Sequence, residues 1–204
     1  MSFYQRHVLP HLVHFAMRQQ SLTPFRRRVI GGADGRVLEI GAGSGLNLPL
    51  YGPNVRRIFA LEPSPELLDM TSERADWGAI PVDLLRASAE AIPLDDHCMD
   101  TVVTTWTLCT IPDAPRALAE MRRVLKPGGA LLFVEHGRAP EPGVARWQDR
   151  LDPVWSRIAG GCHLNRKIDD LVTASGLRIH TLTNARLPGP RTHTFLYEGL
   201  ARPI

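Results

Sequence analysis

A doubly wound α/β fold with a mostly parallel sheet is predicted by three features. Short apolar, β-branched runs alternate with helix-compatible stretches from residue 35 to residue 136, the pattern of repeated βαβ units. The first run, Val37-Leu38-Glu39-Ile40, passes straight into three glycines at alternate positions, Gly41, Gly43 and Gly45. The second, Arg57-Ile58-Phe59-Ala60-Leu61, ends in an acid, Glu62. In such sheets ligands bind beyond the carboxyl ends of the strands, where the glycine turn and the acid both fall.

The elements follow in order. Residues 1–30 suggest a short amphipathic helix, begun or interrupted at Pro10, with Phe3, Val8, Leu9, Leu12, Val13, Phe15, Ala16 and Met17 apolar. It is expected to be a lid over the site, with a membrane-surface contact as the weaker reading. His7, His11 and His14 share one helical face, but Pro10 interrupts them and no carboxylate or cysteine joins them, so no metal site is expected there. Strands are expected at 37–40, 57–61, 83–86, 100–105 and 130–134. Helices are expected from about Leu46, over 65–74 with Pro65 in the first turn, and over 115–124. Lys126-Pro127-Gly128-Gly129 reads as a turn between helix and strand. Beyond Gly137 come helices at 144–158 and 166–174, the second closed by Gly176, and strands at 177–183 and 193–201 around a turn at 187–191. Of Trp106, Trp147 and Trp155, at least two are expected in the core.

At 204 residues this is one domain with room for a substantial core. The net charge of +3 is dispersed, and no basic-aromatic motif points to nucleic acid. The three cysteines, Cys98, Cys109 and Cys162, are widely spaced and form no CxxC pair. That argues against a disulfide framework and a structural zinc site, and suits a reducing cytoplasm. No apolar run spans a bilayer, and no secretory signal is visible, so no stable membrane anchor is expected. The oligomeric state is not legible.

The turn chemistry points to a nucleoside cofactor. Glycines admit positive φ and let a ligand approach the backbone without Cβ contact. A carboxylate at the end of the second strand can accept from both hydroxyls of a ribose. The dinucleotide fingerprint is G-x-G-x-x-G, whereas Gly41, Gly43 and Gly45 give G-x-G-x-G after Glu39. This spacing, and the lack of a hydride-transfer motif, disfavours an NAD-dependent oxidoreductase.

That spacing resembles motif I of the class I S-adenosylmethionine-dependent methyltransferases. Further along, Ser88-Ala89-Glu90-Ala91-Ile92-Pro93 is similar to their adenine loop. Asp100-Thr101-Val102-Val103 is similar to their fourth strand, and Arg123-Val124-Leu125-Lys126-Pro127-Gly128-Gly129 to their turn before the fifth. The resemblance covers about residues 36–136. It implies a Rossmann-like, seven-stranded sheet of order 3-2-1-4-5-7-6 with strand 7 antiparallel, and S-adenosyl-L-methionine as cofactor. It further implies a cofactor site from Glu39, Gly41, Ala42, Gly43, Gly45, Asn47, Glu62, Pro63, Ser88, Ala89, Glu90, Thr104 and Thr105. Ser88 stands where the family often has Asp, so the adenine contact there would come from a hydroxyl or a backbone amide.

Residues 137–204 are expected to form the acceptor side. Thr107-Leu108-Cys109-Thr110, Glu135-His136, Trp147-Gln148, Leu151-Asp152-Pro153-Val154-Trp155, Gly161-Cys162-His163-Leu164-Asn165-Arg166 and the closing aromatic strand resemble the alkyl-thiol S-methyltransferase branch. That branch implies methyl transfer by in-line displacement to a small-molecule thiol. A quinone carbon, a phospholipid amine or a natural-product hydroxyl remains as alternative acceptor, and a silent cofactor-binding protein as alternative class. A thiol needs little help to ionise, its unperturbed pKa being near ~8.5. Should a general base act, His136 is the first candidate and His163 the second, because imidazole titrates in the useful range. Either also has a structural reading: His136 as a loop-orienting hydrogen-bond partner, His163 as surface polarity.

Overall fold

The computed structural model describes residues 4–75 and 78–204; Phe3, expected on the N-terminal apolar face, lies outside them. Seven strands form one sheet: β1 (Gly35–Ile40), β2 (Val55–Leu61), β3 (Val82–Leu85), β4 (Met99–Thr105), β5 (Leu125–His136), β6 (Leu177–Arg186) and β7 (Phe195–Pro203). Their spatial order is β3-β2-β1-β4-β5-β7-β6. The pairs among the first five strands are parallel, and β7 runs antiparallel to both β5 and β6. This is the order and the reversed strand that the family resemblance implies.

Among the described residues, six α-helices flank the sheet: α1 (Leu9–Met17), α2 (Thr23–Ile30), α3 (Pro65–Ala75), α4 (Ala114–Val124), α5 (Pro142–Ile158) and α6 (Ile168–Ala174). Strand side chains alternate between faces, so a parallel sheet covered on both sides needs apolar residues at consecutive positions. Leu38, Val102 and Leu131 pack on one face with Leu118 and Met121 of α4 and Val172 of α6. Val37, Val103 and Leu132 pack on the other with Val29 and Ile30 of α2. Each such fully buried aliphatic side chain contributes about 1.5–3 kcal/mol. The Asp113 carboxylate caps α4 by accepting from the Arg116 amide at 3.0 Å.

Register places the site. Ile40 lies opposite Leu61 on one side and Thr104 on the other, so β1, β2 and β4 end level. The glycine turn, Glu62 and the chain after Thr105 therefore emerge together at one edge.

Four expectations are corrected. The helix from about Leu46 is only a 3₁₀ turn, Leu48–Leu50. Pro49 disfavours the helical conformation at Leu48, and Gly52-Pro53 stops any continuation. The N-terminal segment is two helices: Pro10 lies in the first turn of α1, and Pro24 starts α2. The turn at 126–129 lies within β5, where Gly128 at φ 81° and a register shift against Met99 mark a bulge. Finally, none of Trp106, Trp147 and Trp155 is buried. Outer-lying α5 leaves Trp147 56% exposed, along with Leu151, Val154 and Ile158.

Candidate active site

A cavity of about 380 Å³ opens at this edge, within the range of cofactor pockets. Its floor is Ile40 and the turn residues Gly41, Ala42, Gly43 and Ser44. Leu61, Glu62, Pro63, Ser64, Ser88 and Ala89 form one side; Thr105, Trp106 and Thr107 form another. The N-terminal helix α1 is the far wall, through Leu9, Pro10, Val13, His14 and Met17. His14 Nδ1 and Ser44 Oγ are hydrogen-bonded at 2.7 Å, which ties that wall to the glycine turn. Among the described residues, His7, His11 and His14 do not gather as a metal-ligand set.

The glycines do different work. Gly41, Gly43 and Gly45 all have positive φ, between 59° and 72°. A Cβ on Gly41 would sit 2.4 Å from Thr107 Cγ2, whereas one on Gly43 would meet nothing closer than 3.8 Å. Gly41 thus lets the loop after β4 close on the turn, and Gly43 leaves the cavity open. The Gly43 carbonyl accepts from Thr71 Oγ1 at 2.7 Å, which anchors the turn to α3.

Glu62 is only 6% exposed. Its Oε2 accepts from the Gly43 amide and its Oε1 from the Ser64 amide, each at 3.0 Å. Burial pushes its pKa up, and the two amides work against that shift. Two lone pairs remain, and the residue lines the cavity.

Glu39 lies beneath the turn rather than on the cavity lining. Asn47 Nδ2 donates to its Oε1 at 2.8 Å and the Tyr51 hydroxyl to its Oε2 at 2.9 Å. Asn47 in turn accepts from Arg26 Nε at 2.9 Å. Burial pushes the Glu39 carboxyl up to about 7, opposed by the Tyr51 and Asn47 hydrogen bonds and by the Arg26 charge. Arg26 also lies over the Trp106 ring, 4.8 Å from its centroid. Trp106 itself holds φ at 52°, an unusual conformation for a bulky residue, at the rim of the site. Sequence reasoning missed Arg26 and Tyr51, and took Thr107 only as part of a motif and not as a lining residue; the Thr23-Pro24 helix start was the available signal for Arg26.

Several predicted residues stand away from the lining. Gly45 packs against Thr71 and Leu48. Glu90 Oε1 accepts from the Asp113 amide at 2.7 Å, so this carboxylate serves the start of α4. Thr104 donates to Glu135 Oε1 at 2.8 Å. Glu135, fully buried, also accepts from the Thr107 and Leu108 amides, each at 3.1 Å, and so fixes the loop after β4. His136 and His163 lie behind that loop. His136 Nε2 is 2.9 Å from Cys162 Sγ, and Cys162 Sγ is 3.7 Å from Cys109 Sγ. The Cys109 thiol and the His136 imidazole together hold Cys162 well below the usual thiol range. His163 Nδ1 pairs with Asp152 Oδ2 at 2.8 Å, and its backbone amide donates to the Cys109 carbonyl.

No helix among the described residues is long and apolar enough to cross a membrane.

Residues 38–133 match the model of a methyltransferase domain. A thiol S-methyltransferase of Homo sapiens, TMT1B, is 36% identical over 142 residues, covering 67% of this chain and 58% of that protein. The chain thus spans little more than half the length of these thiol-branch relatives. A phosphatidylethanolamine N-methyltransferase of Cereibacter sphaeroides is 33% identical over 148 residues, covering 67% of this chain and 72% of that protein. A crystal structure of a putative methyltransferase from Bacillus halodurans superposes with a TM-score of 0.71 at 16% identity, over 91% of this chain and all of the other. With the alternate-glycine turn, the buried acid after β2 and the reversed seventh strand, these similarities place the chain in the methyltransferase-domain family, among the class I S-adenosylmethionine-dependent methyltransferases.

Proposed function

We propose that the chain holds S-adenosylmethionine in the cavity over Gly41–Ser44 and transfers its methyl group to a small-molecule thiol. The observation that carries the reading is the makeup of the cavity. The buried Glu62 carboxylate and an open glycine turn supply its polar lining, together with Arg26 and His14. Leu9, Val13 and Met17 of α1, with Trp106, Ile111 and Pro112, supply its apolar lining. The polar lining fits a ribose and an aminoacyl group; the apolar lining fits a small alkyl acceptor.

When bound, the cofactor would supply an electrophilic sulfonium methyl: the acceptor sulfur would bond to that carbon in line as its bond to the sulfonium breaks, S-adenosylhomocysteine would leave, and the thiol proton would pass to solvent. The protein's part is to orient and to exclude water. Glu62 accepts from the ribose hydroxyls, and Ser88 and Ala89 border the adenine. Backbone groups of Gly41–Gly43 carry the aminoacyl end, with Asn47 and Glu39 in support. Trp106, Thr107 and α1 close the methyl-facing side. A thiol is a few per cent thiolate at neutral pH, so His136 and His163, both engaged behind the wall, need not act as bases.

Similarity to the phosphatidylethanolamine enzyme favours a second reading, an amine acceptor. Release of S-adenosylhomocysteine, measured over a panel of alkyl thiols, phenols, quinols and ethanolamine lipids, separates the two. Turnover confined to thiols is expected. Turnover of the amine lipid alone would refute the thiol assignment.

Cofactor affinity is expected to depend on pH through Glu39. Burial holds its carboxyl up at about 7. A cationic cofactor nearby favours the ionised form, so binding releases a proton below that pH. Affinity therefore rises with pH by up to about tenfold per unit below 7 and flattens above it. Calorimetry in buffers of different ionisation enthalpy measures the proton directly. A Glu39→Gln variant should lose the slope, and a persistent slope would assign it elsewhere.

A further inference from the structure

Three side chains that the proposed methyl transfer does not use converge beside the cavity. Cys109 lies in the loop after β4, His136 at the end of β5 and Cys162 in the loop after α5. One donor atom from each falls within 4.8 Å of the other two. They are 27 and 26 residues apart in sequence, so the lack of a CxxC pair, read above as evidence against a metal, says nothing about them.

We propose that Cys109, His136 and Cys162 form a three-ligand site for a thiophilic divalent metal, zinc(II) above all, with its fourth position left for an exogenous ligand. Two thiolates and an imidazole are the donor set that zinc takes, and three protein ligands plus an open position is the pattern of its catalytic sites. Two Zn–S bonds of about 2.3 Å at a tetrahedral angle place the sulfurs about 3.8 Å apart. The Cys109 and Cys162 sulfurs are 3.7 Å apart. The His136 imidazole, 2.9 Å from Cys162, needs to draw back by about 0.6–0.7 Å to reach the N···S spacing of such a site. A disulfide fits the geometry less well. It would pull the sulfurs to about 2.05 Å and leave the imidazole without a role.

The supporting shell is built for position. Glu135 pins the Thr107 and Leu108 amides. Arg166 Nη1 donates to the Leu108 carbonyl, and to that of Ile111 at 2.6 Å. The His163 amide reaches the Cys109 carbonyl at 2.8 Å, joining the two cysteine-bearing loops. Gly160 and Gly161, at φ 63° and 88°, turn the chain so that Cys162 faces the other two. These two loops also line the cavity, through Thr107, Thr110, Ala159 and Gly160. An acceptor thiolate could therefore take the fourth position. That last step rests on the thiol reading; the metal site does not.

The test is metal binding by the full chain, reduced with a non-thiol phosphine and stripped with a chelator. Titration with zinc against a chromophoric chelator is expected to show one tight equivalent. Cobalt(II) is expected to give thiolate charge-transfer bands and the visible bands of a tetrahedral ion. Cys162→Ser and His136→Gln should each lose the stoichiometric ion, and Cys98→Ser should keep it. Cys109 is buried, so its variant serves only if circular dichroism shows it folded; the wild-type cobalt spectrum stands without it. Absence of stoichiometric zinc and cobalt binding by the reduced chain would overturn the site, as would binding indifferent to Cys162→Ser. Loss of two thiols to hydrogen peroxide in a chain that binds neither metal would reassign the cluster as a disulfide pair. A cobalt spectrum that shifts on adding a small alkyl thiol supports the open position. An unchanged one removes thiolate ligation and leaves the metal site standing.

Discussion

Gly41→Ala is expected to cost the fold about 2–5 kcal/mol and to abolish cofactor binding. Two terms add. A left-handed backbone at φ 65° costs an L-residue about 1–2 kcal/mol. The new methyl would lie 2.4 Å from Thr107 Cγ2 and 2.5 Å from Thr107 Oγ1, and such overpacking adds about 1–3 kcal/mol. Thr107 cannot simply move, because its amide donates to buried Glu135 and its hydroxyl to the Thr105 carbonyl. The neighbouring Gly43→Ala separates the terms. Its φ is 59°, but its methyl meets nothing within 3.4 Å, so only the backbone cost should appear in a denaturant melt. Thr107→Ala in the Gly41→Ala background should recover the packing term alone. Equal midpoints for Gly41→Ala and Gly43→Ala would show that the turn and the Thr107 loop are not in register as described.

The sheet was legible because its signals are local. A parallel strand buried on both faces must be apolar at consecutive positions, as Val37-Leu38 and Val102-Val103 are. A turn that needs positive φ must be glycine. The N-terminal pair of helices was harder. Arg26-Arg27-Arg28 is the longest basic run in the sequence, yet Arg26 is buried and reaches Asn47 and the Trp106 ring. Nothing in the spacing tells one arginine of the three from the others; only docking of α2 on the sheet does. The failed helix after Gly45 shows the reverse case, where local chemistry at Pro49 overrides an expectation drawn from the fold class. Glu90 and His136 fit their motifs, but spacing cannot show which way a side chain points. Glu90 turns to the Asp113 amide and His136 to Cys162. The cluster of Cys109, His136 and Cys162 was invisible for the same reason: two loops and the end of β5 supply one residue each.

Glu62→Ala is expected to weaken S-adenosylmethionine binding by about 1.5–3 kcal/mol, roughly ten- to a hundredfold, the value of hydrogen bonds to a charged acceptor. Among the described residues the carboxylate is held by the Gly43 and Ser64 amides and by no cationic side chain. Its burial without a counter-charge is unfavourable in the empty protein, as the raised pKa records. A diol that donates two hydrogen bonds satisfies the remaining lone pairs and offsets that cost, so the gain is realised on binding and not on folding. The stability of Glu62→Ala should accordingly change less than its affinity: the two freed amides turn toward a cavity that water can enter. Glu62→Gln sharpens the point. It keeps the size but replaces one acceptor by an NH₂ that faces a backbone N–H, so its affinity should fall nearly as far as that of the alanine variant. Calorimetry with S-adenosylhomocysteine should give the same loss, because the ribose is common to both ligands and the sulfonium is not. If Glu62→Ala binds both adenosyl compounds with unchanged dissociation constants, the ribose lies elsewhere and the orientation of the cofactor in the cavity must be reversed.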